Sequence, residues 1–146
     1  MRHHRDEGQA QRGQSLTELA LIMPILLMVL AGLLDLGRLY YVYLAVTDAA
    51  GEGAIYAAYN PPLNEGDREA IRQRVQAASY GLVEIGEDGL VEIDCPTCPA
   101  VAPGDVITVT AVHTYSLATP FITLIVPSGV IPLRASASEV VVAGEF

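Results

Sequence analysis

The sequence predicts an α+β protein: a long N-terminal apolar, transmembrane helix followed by a small domain with one helix and a three- or four-stranded antiparallel sheet. Three observations carry this. Residues 19–34 hold no charge, and helical patterning continues from them to Ala58. Asn60-Pro61-Pro62 then stops the helix, because proline cannot continue it and biases its predecessor away from helix. Beyond that break, strand-like alternation replaces the helical period in several stretches. At 146 residues there is room for one such helix and one small domain, and not for two globular domains.

The helix is preceded by a polar leader, Met1 to Gly13, with Arg2, Arg5 and Arg12 against Asp6 and Glu7. Glu18 stands near the start of the apolar run. An ionisable group in a membrane segment costs up to roughly 3 kcal/mol at the bilayer centre and less towards the interface, so Glu18 is a functional candidate. Sixteen uncharged residues fall short of the roughly 20 needed to span a bilayer, but the segment does not stop there. Asp35 and Arg38, three apart on a helix, can pair with each other at the membrane interface. Tyr40, Tyr41 and Tyr43 follow as an aromatic belt, with Arg38 reaching back to the head groups. Arginines before the span place the N-terminus in the cytoplasm and the domain outside. Pro24 is tolerable in a membrane helix and predicts a kink. A secretory signal peptide shares the basic start and apolar core, and Val29-Leu30-Ala31 offers it a cut site. Against it stand Glu18, Pro24 and helical patterning well beyond that cut.

Charge excludes some partners. The formal net charge is -9, and all eight basic residues are arginine. Removing the leader, whose net charge is +1, leaves -10. A chain so acidic is not suited to nucleic acid or to anionic lipid heads.

The boundary at Gly13 and Gln14 resembles the processing site of type IV prepilins, where a dedicated peptidase cuts after glycine and a glutamate is fifth in the mature chain. Counted from Gln14, Glu18 is fifth. Further on, Ala45, Ala49, Gly53 and Ala57 recur every four residues, with Ala50, Ala54 and Ala58 in the adjacent row. Such ribbons let two helix backbones approach closely, whether the partner is another subunit's helix or the chain's own domain. Together with Gly37-Arg38 and Ala49-Ala50-Gly51-Glu52-Gly53-Ala54, the pattern resembles the TadE-like family. Gly51 and Ile55 replace two arginines common there, and Leu19 follows Glu18 where an aromatic residue is common. The resemblance covers Gly13 to Ala58.

That resemblance implies a pilin-like minor pilin or pseudopilin of the tight-adherence type IV pilus system, not an enzyme and without a cofactor. It implies a cleavable leader at 1–13, a transmembrane and assembly helix at 14–59 and an extracytoplasmic domain at 60–146. Implied partners are a prepilin peptidase, other pilins or pseudopilins, the inner-membrane assembly platform, membrane lipid and further copies of the chain. The alternative is a membrane-anchored extracytoplasmic binding or adhesion module that never polymerises.

Within the domain, Asn64 can cap a second helix whose first turn holds Glu65 and Asp67. Ala70, Ile71, Val75 and Ala78 supply its apolar face, and Gly81 its stop. Leu82-Val83-Glu84-Ile85 and Leu90-Val91-Glu92-Ile93 flank Gly86-Glu87-Asp88-Gly89, a hairpin signal. Ile107, Val109, Ala111, His113 and Tyr115 alternate with Thr108, Thr110 and Thr114. Ile131, Leu133, Ala135 and Ala137 form a second inward set. An antiparallel sheet covered by a helix satisfies all of them.

Other residues invite chemistry and are better read without it. Cys95-Pro96-Thr97-Cys98 is followed by Pro99 and Pro103 and by no helix that would lower a thiol pKa, so a disulfide-closed loop in an oxidising compartment is expected over redox catalysis. Two cysteines alone make no zinc site. Glu84, Glu87, Asp88, Glu92 and Asp94 lack EF-hand order and read as a solvated hairpin. His113 is a lone inward histidine, and His3 and His4 lie in the leader. Phe121 to Val126, between Pro120 and Pro127, is too short for a second span; it is expected to close the core, the alternative being an exposed apolar patch awaiting another subunit. No phosphate loop, nucleophile elbow or metal cluster is present in the sequence.

Overall fold

The computed structural model describes residues 6–79, 81, 90–118 and 128–142, with side chains from residue 14 onward. Two helices and three strands follow in order: α1 (Asp6–Tyr59), α2 (Glu65–Ala78), β1 (Val91–Asp94), β2 (Val106–Ser116) and β3 (Val130–Val140). The expected α+β class is the observed one. The 82–89 hairpin and the 121–126 run fall outside the described residues.

α1 is 54 residues long, which at 1.5 Å per residue is roughly 80 Å. Pro24 lies inside it without ending it. The helix stops at Tyr59, before the Pro61-Pro62 break. α2 starts where Asn64 caps it: the Asn64 side chain accepts the Asp67 N–H at 3.0 Å, and Asp67 Oδ2 accepts the Asn64 N–H at 3.1 Å. This reciprocal box satisfies orphan amides of the first turn. α2 ends at Ala78 with Ser79 as its C-cap, and the chain turns at Gly81, where φ is +69°. A residue with a Cβ disfavours that conformation.

The sheet is antiparallel in the order β1-β2-β3, with Val91 opposite Ala111 and Val109 opposite Ala137. Inward positions Ile107, Val109, Ala111 and Tyr115 on β2 and Leu133 and Ala135 on β3 are buried. On the other face hydroxyls pair across the strands, Thr108 with Ser138 and Thr110 with Ser136, each at 2.8 Å. β3 carries Pro132 without loss. The ladder bonds just beyond both strand ends, Val141 N–H to Asp105 O and Leu117 N–H to Gly129 O, fall on odd-numbered β3-side residues. The alternation of an antiparallel ladder then turns the even positions, Pro132 among them, away from β2. A missing N–H costs nothing there.

One core joins the elements. Val46, Ala49, Ala50, Ala54 and Ala57 of α1 pack with Ile71 and Val75 of α2 and with Ile107, Val109, Ala111 and Ala135 of the sheet. At Gly53 the helix is closely approached by both α2 and the sheet. A Cβ there would collide with the Val75 side chain and lie 3.2 Å from Val109 Cγ1. Gly51, two residues earlier, faces open space. These two glycines give a paired prediction. Gly51→Ala should stabilise the chain by up to about 1 kcal/mol through helix propensity. Gly53→Ala should destabilise it by about 1–3 kcal/mol through overpacking. Urea unfolding of the full chain in detergent micelles, followed by near-ultraviolet circular dichroism, reads both. Stabilisation by both would sink the close-packing argument.

Candidate functional site: the N-terminal helix and the surfaces it carries

The helix already begins at Asp6, so the Gly13–Gln14 boundary lies within it and not at its start. Residues four apart are neighbours on a helix surface. Accordingly Gln14 Nε2 donates to Glu18 Oε1 at 3.2 Å, while Thr17 Oγ1 donates to the Gln14 carbonyl at 2.7 Å. Glu18 is exposed, and none of the described ion pairs involves it. Arg38 is twenty residues away, roughly 30 Å along the helix.

From Leu16 to Leu34, thirteen large apolar side chains stand exposed around α1. At roughly 1.5 kcal/mol each, leaving them in water forgoes about 20 kcal/mol, more than the 5–15 kcal/mol by which domains are stable. This surface therefore needs a cover. The segment is long and apolar enough to cross a membrane, which is compatible with a single-pass anchor.

At the outer end of that girdle the two predicted interface charges differ in exposure. Asp35 is 6% exposed, whereas Arg38 is exposed. Asp35 lies by Tyr115 of β2, itself 4% exposed, whose hydroxyl has no hydrogen-bond partner among the described residues. Burial pushes the Tyr115 hydroxyl above the ordinary phenol range. The Asp35 carboxylate adds to the rise and the Arg38 guanidinium offsets part of it. The domain thus reaches down α1 as far as Asp35.

The small-residue ribbon is occupied from within the chain. Ala49, Gly53 and Ala57 are buried, Ala45 is half-buried, and all sit against the protein's own α2 and sheet. The opposite side of α1 carries exposed Tyr41, Leu44, Asp48, Ile55 and Tyr59. Sequence reasoning overlooked this stripe, although its spacing of three, four, seven and four residues was there to read.

At the far end of the domain Cys95 and Cys98 form a disulfide. The loop that follows is tied down by Asp105, whose Oδ2 accepts the Ala102 N–H at 2.8 Å. That bond holds the Asp105 carboxyl below its ordinary value of 3.8, and the Thr97 hydroxyl adds to the effect. Glu92 pairs with Arg134 at 2.7 Å, while Glu84, Glu87 and Asp88 lie outside the described residues. His113 is half-buried on β2. Among the described residues no group of three His, Cys, Asp or Glu is placed to hold a metal.

Residues 13–54 match the family model described as TadE-like protein. The match opens on the glycine of the expected cut and takes in Glu18, Gly37-Arg38 and the ribbon as far as Ala54. It agrees with the resemblance read from the motifs and points to a protein associated with the tight-adherence pilus. No curated protein and no solved structure matches the chain.

Two predictions concern the far end. Cys95 and Cys98 should resist alkylation in native protein until a reductant is added, and reduction should cost about 2 kcal/mol of stability, as closing a short loop does. Free thiols in fresh protein would contradict the bridge. The second concerns acid. A carboxyl depressed in the folded state contributes stability above its unfolded pKa and loses it as pH falls through the folded one. Asp105→Asn should therefore lower the urea midpoint at pH 7 and shrink the loss of stability on acidification. An unchanged acid response would remove Asp105 from this role.

Proposed function

We propose that this chain is a minor pilin or pseudopilin that takes part in assembling a tight-adherence type IV pilus, by priming, insertion or capping. The observation that carries the reading is the TadE-like match over residues 13–54, which coincides with the exposed apolar stretch of α1 and its lone carboxylate. The role is structural, and no catalytic step is assigned to any residue.

In this reading a prepilin peptidase removes residues 1–13 and exposes an α-amino group on Gln14. Glu18 lies one helical turn further on, where its side chain already reaches Gln14. A carboxylate drawn into an apolar bundle needs a partner, and removing that partner is costly. The new ammonium of a neighbouring subunit supplies one, and pairing with it fixes the axial register of two helices. Lateral contacts fall to the stripe of Tyr41, Leu44, Ile55 and Tyr59, since the alanine ribbon is used inside the chain. The N-terminus is cytoplasmic and residues 60–146 lie outside. The partners are other pilins, the inner-membrane assembly platform and lipid.

Intact-mass measurement of membrane-extracted protein should show a chain beginning at Gln14. A mature chain beginning at Gly32 would make it an ordinary secreted protein, and an uncut chain would leave the non-polymerising anchor. Glu18→Gln keeps shape and eases insertion, since the charge costs up to roughly 3 kcal/mol in a bilayer. The variant should be inserted and cleaved normally yet be depleted several-fold from purified fibres. Normal incorporation would remove Glu18 from the assembly step.

A further inference from the structure

We propose that α1 docks a second, parallel copy of this chain displaced by roughly 15 Å along the helix, with Arg38 of the higher copy held by Asp48 of the lower. The proposal rests on the reading of α1 as an assembly helix and gives its lateral contact an occupant and a register.

Beyond Gln14 the arginines are Arg38, Arg68, Arg72, Arg74 and Arg134. Arg68 and Arg72 hold Glu65, Arg72 also holds Glu69, Arg74 holds Glu52 and Arg134 holds Glu92. Arg38 is exposed and makes none of the described ion pairs. On the acidic side, α1 beyond Gln14 carries Glu18, Asp35, Asp48 and Glu52. Asp35 is buried beside Tyr115, Glu52 is taken by Arg74, and Glu18 has its place at the lower end of the helix. Asp48 is left, exposed and likewise in none of the described ion pairs. One cation and one anion therefore bracket the lower part of the exposed stripe. Arg38 stands one turn below Tyr41, and Asp48 one turn above Leu44.

Ten residues separate the two charges, roughly 15 Å along the helix. Two parallel copies set level would oppose Arg38 to Arg38 and Asp48 to Asp48, like against like. An antiparallel pair is excluded for chains anchored with one orientation, because the girdle of one would lie beside the domain of the other. A displacement of about ten residues sets Arg38 against Asp48. The same displacement brings Tyr41 and Leu44 of the higher copy level with Gly51 and Ala54 of the lower. There a shallow hollow of about 150 Å³ opens between α1 and α2, lined by Glu52, Ile55, Tyr56, Tyr59 and Arg74. Charge complementarity and the hollow thus select one register independently. An exposed ion pair adds little affinity and serves to fix register, so the apolar stripe carries the contact. The two copies use different stretches of the helix. Such a heterologous contact leaves each copy one stretch free for the next, and extends as an open row.

Leu44→Cys and Ile55→Cys, one of them tagged, are made together as full-length chains in cell membranes and treated with a short bis-maleimide. The Cys95–Cys98 bridge takes no part. Links between positions 44 and 55 should dominate over 44–44 and 55–55 links. Arg38→Glu or Asp48→Arg in this background should each reduce the yield several-fold, and the two together should restore it. Circular dichroism of each purified chain checks folding. Dominant 44–44 links would mean level or antiparallel copies, and no links at all would mean that copies do not meet on this face. Single reversals without effect, or a double variant as poor as the singles, would give Arg38 another partner such as a lipid phosphate. Each of these results overturns the proposal. The presence of the unsubstituted chain in purified fibres is read separately. A chain found in fibres without the 44–55 link leaves the pilus reading standing and removes this contact. A 44–55 link in a chain absent from fibres keeps the contact and removes the pilus reading.

Discussion

The close approach of α1 to α2 and β2 at Gly53 sets the position of everything else in the domain. With no Cβ at that residue, Val75 and Val109 both reach the helix backbone. The flanking alanines extend this shallow groove along successive turns, and the helix seats into the sheet side by side with α2. A larger residue would lift the sheet, and the displacement would be passed to Tyr115 and to Asp35 below it. The ion pairs do not have comparable leverage. Arg74 to Glu52 and Arg134 to Glu92 are short but exposed, and such pairs contribute at most about 1 kcal/mol.

The molecule is organised as a gradient along one axis. Its lower half is a bare apolar helix, and its upper end is an acidic cap closed by a disulfide. Between them the buried faces of β2 and β3 sit on the alanine side of α1, and the hydroxyl pairs Thr108–Ser138 and Thr110–Ser136 finish the outer face of the sheet. Each functional surface follows from this arrangement. Glu18 is exposed near the lower end of the helix, and the tyrosine stripe looks away from the domain.

Much of this was legible in the chain because it is local. Asn60-Pro61-Pro62 ends α1, Asn64 and Asp67 form the start of α2, and alternation marks the inward residues of β2 and β3, each within a few positions of its cause. What stayed hidden is what touches across distance. The ribbon from Ala45 to Ala57 announces that a backbone comes close but not whose, and the answer lies in Val75 and Val109. Asp35 and Arg38 are three apart on one helix, yet the first is buried and the second exposed. Tyr115, which lies by Asp35, is eighty residues further on, and no periodicity in α1 could announce it. The stripe of Tyr41, Leu44, Ile55 and Tyr59 becomes meaningful only once the other side of the helix is known to be taken.

β3 has a mechanical meaning. It climbs away from the girdle and ends with Val142 bonded to Ala58, so a pull on the chain beyond Val142, directed outward against the anchored helix, acts along the strand axis. The rungs of an antiparallel ladder lie perpendicular to that axis. Tension then shears the whole β2–β3 seam at once, and does not unzip it one rung at a time. A strand of eleven residues loaded in this way shares the force across its length.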